Sequence, residues 1–271
     1  MATEMAIDER TAISLTPADV DRPPNYLYKY RSTDERLRQI LVGNSLYYSS
    51  PKDFKDTLDC RIPTELSGPP NDIRSYCDRL ITEGWPSMLP DERNRRVDQF
   101  ISEGRWKNTA REVQSLVNNC GVLCLSEHWD GPSMWEEYAQ NHAGVCLEFL
   151  AADETGMTRF GSNSFKITYS ERLKFNLLSD PWEQAKGILL TKLTKWTHEH
   201  EWRIILRSPV GSSTVGNWLF PPEFLTGVIF GYKADDTTIE RVKGWLAEGK
   251  CRPALYQAGT EGASLTKKRI E

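Results

Sequence analysis

No apolar run in this sequence approaches the roughly 20 residues that a membrane-spanning helix needs. Met1 to Asp21 is polar and acidic, so no secretory leader is expected, and the chain reads as soluble, intracellular and cytoplasmic. Histidine is scarce, with four in 271 residues. His198-x-His200 is the only metal-like spacing and has no obvious third ligand, so no metal is expected; no histidine stands where a serine triad would need one. The six cysteines (60, 77, 120, 124, 146 and 251) show neither zinc nor disulfide spacing and are expected to be reduced and buried. A Gly-rich phosphate loop is missing too, because Gly227 and Gly231 stand in the wrong context for a dinucleotide fingerprint. Charge of neither sign dominates: a net charge of −4 and a pI near 5.7 argue against a general nucleic-acid binder.

What is present is ordinary globular material, 39% hydrophobic and 27% charged, with generous Trp and Tyr. Residues 1–24 lack periodicity, end in Asp-Arg-Pro-Pro and read as an irregular arm. Tyr26 to Arg31 reads as a strand. Ser32-Thr-Asp-Glu35 opens a short helix with Leu37, Ile40 and Leu41 on its apolar face, and Ser45 to Ser50 is a second strand stopped by Pro51. Residues 66–118 change character: amphipathic helices around Ile73–Glu83, Pro90–Glu103 and Thr109–Asn118 read as a helical insertion. Strands are predicted at Gly121–Ser126, Val145–Leu150, Phe165–Tyr169, Glu201–Leu206 and Leu225–Gly231, with a last one at Ala254–Ala258. Helices are predicted at Ser133–Ala139, Pro181–Lys195 and Asp235–Ala247. Residues 259–271 read as a frayed tail. Strands in runs with irregularly spaced helices predict α+β, a mixed and largely antiparallel sheet within one domain over 25–258.

The candidate chemistry centres on Glu199 and Glu201, in Trp196-Thr-His-Glu199-His-Glu201-Trp202-Arg203. On a strand, residues two apart share a face, so both carboxylates and Arg203 are expected to point one way. Crowded carboxylates repel and need cations, hydrogen bonds or a ligand. They suit either a site that stabilises a cationic transition state or a plain ion-pair network. In Tyr28-Lys29-Tyr30-Arg31 the tyrosines share one face and the cations the other; the cations either lie in water or grip a phosphate or ribose. Ser49 and Asp56 follow in a strand end and loop. Trp135 and Tyr138, one helical turn apart, are core material or an aromatic wall for a ligand.

In order along the chain, Tyr28-Lys29-Tyr30-Arg31, Ser49-Ser50-Pro51 with Phe54-Lys-Asp56-Thr-Leu-Asp59, Met134-Trp135 with Tyr138-Ala139 and Gly144, and Trp196, Glu199, Glu201, Arg203 resemble the motifs of a bacterial domain-of-unknown-function family, number 2971, over roughly residues 26–246. The loop departs from that family, with Lys55, Thr57 and Asp59 where Asn, Pro and Glu are usual. The order of elements is also similar to ADP-ribosyltransferases, which implies a split sheet and NAD as substrate. That likeness puts Arg31 on the pyrophosphate, Ser49 at the nicotinamide pocket, Glu201 at the ribose and Glu199 toward an acceptor, protein or nucleic acid. It implies NAD-dependent ADP-ribosyl transfer or NAD hydrolysis, in the setting of a bacterial toxin or phage-defence effector. The expected cleft is lined by Arg31, Ser49, Trp135, Tyr138, Glu199 and Glu201. The alternatives are a non-catalytic module that senses a nucleotide or a phage protein, and a metal-dependent nuclease using Asp56, Asp59, Glu199 and Glu201.

Overall fold

The computed structural model describes residues 21–61, 63–158, 160–171, 174–178, 187–206, 212–262 and 264–270. In chain order these form β1 (Tyr26–Arg31), α1 (Glu35–Gly43), β2 (Ser45–Tyr48), β3 (Thr64–Glu65), and then α2 (Pro70–Gly84), α3 (Pro90–Ser102) and α4 (Trp106–Asn119). Next come β4 (Gly121–Ser126), α5 (Pro132–Tyr138), β5 (Val145–Leu150), β6 (Ala152–Asp153), β7 (Gly156–Met157), β8 (Ser164–Lys166), β9 (Thr168–Ser170), β10 (Phe175–Asn176) and β11 (Thr191–Leu193). A 3₁₀ helix over Thr194–Glu199 leads into β12 (Glu201–Leu206), followed by β13 (Gly216–Leu219), β14 (Leu225–Phe230), α6 (Asp236–Glu248), β15 (Ala254–Glu261) and β16 (Ser264–Arg269).

The protein is α+β. One eight-stranded sheet runs β16-β15-β14-β5-β1-β4-β12-β8, antiparallel except where α6 carries the chain from β14 to the parallel β15. Alternation sorts its two faces. Leu27, Leu125, Leu147, Phe149, Trp202 and Phe230 leave one face and pack with Leu37 and Leu41 of α1 and Val242 and Leu246 of α6. From the other face, Tyr28, Tyr30, Cys146 and Ile229 pack on Trp135 of α5, while Val122, Phe165 and Ile205 pack with Val117 of α4. Helices α2 and α3 hold a smaller core of their own around Tyr76, Cys77, Ile81 and Val97.

The two edges of β1 are paired unequally. β1 pairs with β5 over six rungs but meets β4 at the single rung Tyr28↔Ser126. Farther along β4, the partner is the end of β2, through the bridge Ser49↔Val122. β1, β2 and α1 therefore enclose a recess on the α1 side of the sheet.

Two expectations change. Residues 264–269 are no frayed tail: they pair with β15 as an antiparallel edge strand from Tyr256↔Arg269 to Glu261↔Ser264. The lysines at 267 and 268 made that stretch look like a solvated end, yet an edge strand tolerates such residues because one of its sides stays in water. The helix expected over Pro181–Lys195 lies partly outside the described residues; helix is present at 187–190, and Thr191–Leu193 is strand, paired parallel with β9. Of the expected arm, residues 1–20 lie outside the described residues. No helix among the described residues is long and apolar enough to cross a membrane.

Candidate functional site: a buried ionic network and a basic recess

Glu201 begins β12 as expected, but Glu199 does not share its strand. Glu199 closes the 3₁₀ helix, and His200 between them takes the left-handed conformation at φ 42°. The carboxylates converge nevertheless, because Lys192 on β11 binds both. Lys192 Nζ donates to Glu199 and, at 3.0 Å, to Glu201 Oε2; Asp59 Oδ2 lies 3.6 Å away. Arg203 completes the network from the next same-face position of β12. Its Nε donates to Glu201 Oε1 at 2.7 Å, its Nη2 to both oxygens of Asp59 at 2.8 Å, and its Nη1 to the Leu189 carbonyl at 2.7 Å. Tyr138 Oη donates to Glu199 Oε1 at 2.8 Å, and the Trp196 ring lies 5.0 Å from Lys192 Nζ.

This assembly is closed. Arg203 is 0% exposed, Glu201 3%, and Glu199, Asp59 and Lys192 no more than 6%. Among the described residues the cations facing Asp59, Glu199 and Glu201 are Lys192 and Arg203, so full ionisation would leave the network one negative charge in excess. The imbalance falls unequally. Burial alone would raise the Glu201 carboxyl, but Arg203 and then Lys192 outweigh it and hold that carboxyl far below the usual range. Burial and the Glu201 charge push Glu199 up.

The two shifts have opposite consequences for stability. Glu201 stabilises the fold above the ordinary carboxylate value and ceases to as pH falls toward its depressed folded value. Glu199, raised in the fold, contributes stability that is complete below the ordinary value and is lost as pH rises through its folded one. Glutamine mimics the protonated carboxyl. The stability of Glu199→Gln relative to the parent, measured by urea unfolding, should therefore grow between about pH 4 and pH 8. A flat difference across that interval would show that Glu199 does not carry the excess charge.

The cations of β1 are elsewhere. Tyr28, Ser126 and Glu201 are neighbours across three adjacent strands, so they share a face. Lys29 and Arg31 alternate with Tyr28 and leave the opposite face, toward α1. The common cleft expected for Arg31 and the acidic pair is thus not formed, for reasons of strand parity. Trp135 is 0% exposed, set edge-on to Tyr30 at 5.3 Å, with its Nε1 donating to the Trp129 carbonyl at 2.7 Å. It is core, not a ligand wall. Tyr28 Oη donates to Glu148 at 3.3 Å and Tyr30 Oη to the His128 carbonyl at 2.9 Å. Asp56 accepts from Trp196 Nε1, whose ring borders the ionic network, and does not line the basic recess.

Lys29, Arg31 and Ser49 do come together, with Arg36, Gln39 and Ile40 of α1, Ser45 and Tyr47 of β2 and Asn217 of β13, around a cavity of about 50 Å³. Among the described residues no acidic side chain lines it. Lys29 Nζ donates to the Cys124 carbonyl at 2.8 Å, and burial followed by the Arg31 charge pushes its ammonium down to about 8. Burial likewise lowers Arg31, whose Nε is enclosed without a hydrogen-bond partner. Among the described residues, the side chains of Arg31, Arg36, Gln39, Ser45, Ser49 and Asn217 make no hydrogen bond or ion pair.

A second hollow of about 390 Å³ is lined by His128, Asp130, Gly131, Pro132, Ser133, His198 and His200. None of the expected site residues borders it. Among the described residues no three His, Cys, Asp or Glu side chains are grouped to hold a metal ion.

Sequence reasoning missed Lys192 and Arg36. Lys192 falls inside the helix expected over Pro181–Lys195, where a lysine normally faces water. Arg36 sits on the polar side of α1, and only the placement of β1 turns that side into a wall.

Residues 134–204 match the family model described as Protein of unknown function (DUF2971), the family that the ordered motifs resemble. The matched segment runs from α5 into β12 and holds Trp135, Tyr138, Lys192, Trp196, Glu199, Glu201 and Arg203; Asp59 and the recess lie outside it. No curated protein and no solved structure matches the chain.

Proposed function

We propose that the chain is a binding module for a phosphate-bearing small molecule, held by its anionic group against Lys29, Arg31 and Arg36. One observation carries this reading: a recess walled by three cations and four neutral polar side chains, of which only Lys29 has a hydrogen-bond partner among the described residues. Lys29 and Arg31 are partly buried and Arg36 stands exposed at the rim, and neighbouring like charges are unfavourable unless an anion joins them. Burial is the main cause that lowers Lys29 and Arg31; the Arg31 charge adds to it at Lys29, while at Arg31 the Asp34 carboxylate opposes it and Arg36 adds to it. Guanidinium forks and serine hydroxyls are suitable donors for phosphoryl oxygens. The motif Trp196, Glu199, Glu201, Arg203 is read as the structural counterpart: it fixes β12 and β11, and through β4 the strand that borders the recess.

Binding is favoured over ADP-ribosyl transfer because a carboxylate that stabilises developing charge on a sugar must reach that sugar. Glu201 is 3% exposed, and its oxygens are held by Arg203 and Lys192.

Isothermal titration with sulfate, whose charge does not change near neutral pH, tests the reading. Saturable binding is expected. Arg31→Met and Arg36→Met should each weaken it by about tenfold or more, the size expected for a hydrogen bond to a charged group. Affinity should also fall as pH rises through about 8, where Lys29 loses its proton. Nicotinamide release from NAD should be at background for both the parent and Glu201→Gln. Absence of sulfate binding, or release that depends on Glu201, would overturn the proposal.

A further inference from the structure

The size of the recess and the residues beside it specify more than an anion. A cavity of about 50 Å³ is far smaller than the roughly 300–1,000 Å³ of a site that encloses a whole small molecule, so it takes only a small end group. Whatever carries the phosphate must extend past the cationic walls. Ser45, Tyr47 and Ser49 alternate along β2 and line the recess together, while Leu46 and Tyr48 turn inward to the core. Ser45 and Ser49 are small and polar; Tyr47 is a large ring left 45% exposed beside a charged hollow. Directly across the β2–β13 pair from Tyr47 stands Asn217, and Gln39 borders the same space from α1. Both carboxamides offer a donor and an acceptor.

From this juxtaposition we infer that the ligand is a mononucleotide. Its terminal phosphate monoester sits among Lys29, Arg31 and Arg36, its base stacks on Tyr47, and the Asn217 amide meets the base edge. The inference rests on the phosphate-binding reading above and names the molecule that the recess takes. A monoester fits because its phosphoryl group has three free oxygens and only one substituent to lead out of the cavity. In a dinucleotide such as NAD each phosphate is esterified to one nucleoside and joined by an anhydride bond to the other phosphate, so neither is terminal and neither can enter this space end-on. An aromatic side chain stacked on a base is worth enough to change affinity by about fivefold to a hundredfold. Paired donor and acceptor atoms of a carboxamide suit the N6 and N7 positions of adenine.

The test compares AMP, ribose 5-phosphate, adenosine and NAD by isothermal titration against the full chain. AMP is expected to bind at least about fivefold more tightly than ribose 5-phosphate, and adenosine and NAD more weakly than AMP. Tyr47→Ala should remove the advantage of AMP while leaving ribose 5-phosphate unchanged; Tyr47→Phe, which keeps the ring, should preserve it. The exposed position of Tyr47 allows both variants to fold, which circular dichroism checks. Equal affinity for AMP and ribose 5-phosphate, or an AMP advantage that survives Tyr47→Ala, overturns the mononucleotide inference and leaves phosphate binding standing. Failure of AMP, ribose 5-phosphate and sulfate alike overturns both.

Discussion

Arg203→Met is expected to destabilise the fold by about 3–5 kcal/mol, the usual result of removing one partner from a buried ion network. The side chain is 0% exposed and donates to Asp59, Glu201 and the Leu189 carbonyl. Methionine fills much of the same volume but gives nothing back to two carboxylates that have no water to turn to. Lys192 would then face Asp59, Glu199 and Glu201 alone, and the excess negative charge would double. Arg203→Lys should recover only part of the loss, because a single ammonium cannot fork onto Asp59 while also holding Glu201. Urea unfolding followed by tryptophan fluorescence measures the effect. Asp59→Asn in the Arg203→Met background should cost far less than Asp59→Asn alone, since residues within one network do not add. A loss under about 1 kcal/mol for Arg203→Met, typical of exposed ion pairs, would mean that the network is not closed to solvent.

Trp135→Ala should cost a comparable amount, about 3–5 kcal/mol, through the cavity it leaves. The indole lies 0% exposed between β1 and the chain that follows α5, edge-on to Tyr30 and stacked on His142 at 6.0 Å. Trp135→Phe keeps most of the apolar contact but strands the Trp129 carbonyl, a loss of about 1–3 kcal/mol. The two substitutions also separate packing from recognition. Trp135 is on the face of β1 opposite Arg31, so sulfate affinity of the folded Trp135→Phe protein should equal that of the parent. A weaker affinity in that variant would return Trp135 to the ligand site.

Much of this architecture was legible because it rests on local periodicity. The strand Glu201–Leu206, the three helices between 70 and 119, and the opposite faces of Tyr28/Tyr30 and Lys29/Arg31 follow from which residues recur at intervals of two or of three to four. β16 was hidden by its polarity, which an edge strand permits. The left-handed turn at His200 was not legible either; it takes Glu199 off the strand, and a simple two-residue count could not foresee it.

The site divided in the same way. Lys29 and Arg31 are expected on one strand face, and with Ser49 they share one recess; Glu199, Glu201 and Arg203 are expected as a set, and they share one network. By itself, the order of residues determined these local sets, since neighbours on a strand or helix have their directions imposed by backbone geometry. Whether the two sets faced each other depended on the register Tyr28↔Ser126↔Glu201, which is a relation between strands far apart in the chain. Long-range pairing decided that parity, brought Lys192 and Asp59 in to close the acidic group, and left the basic group open beside Tyr47.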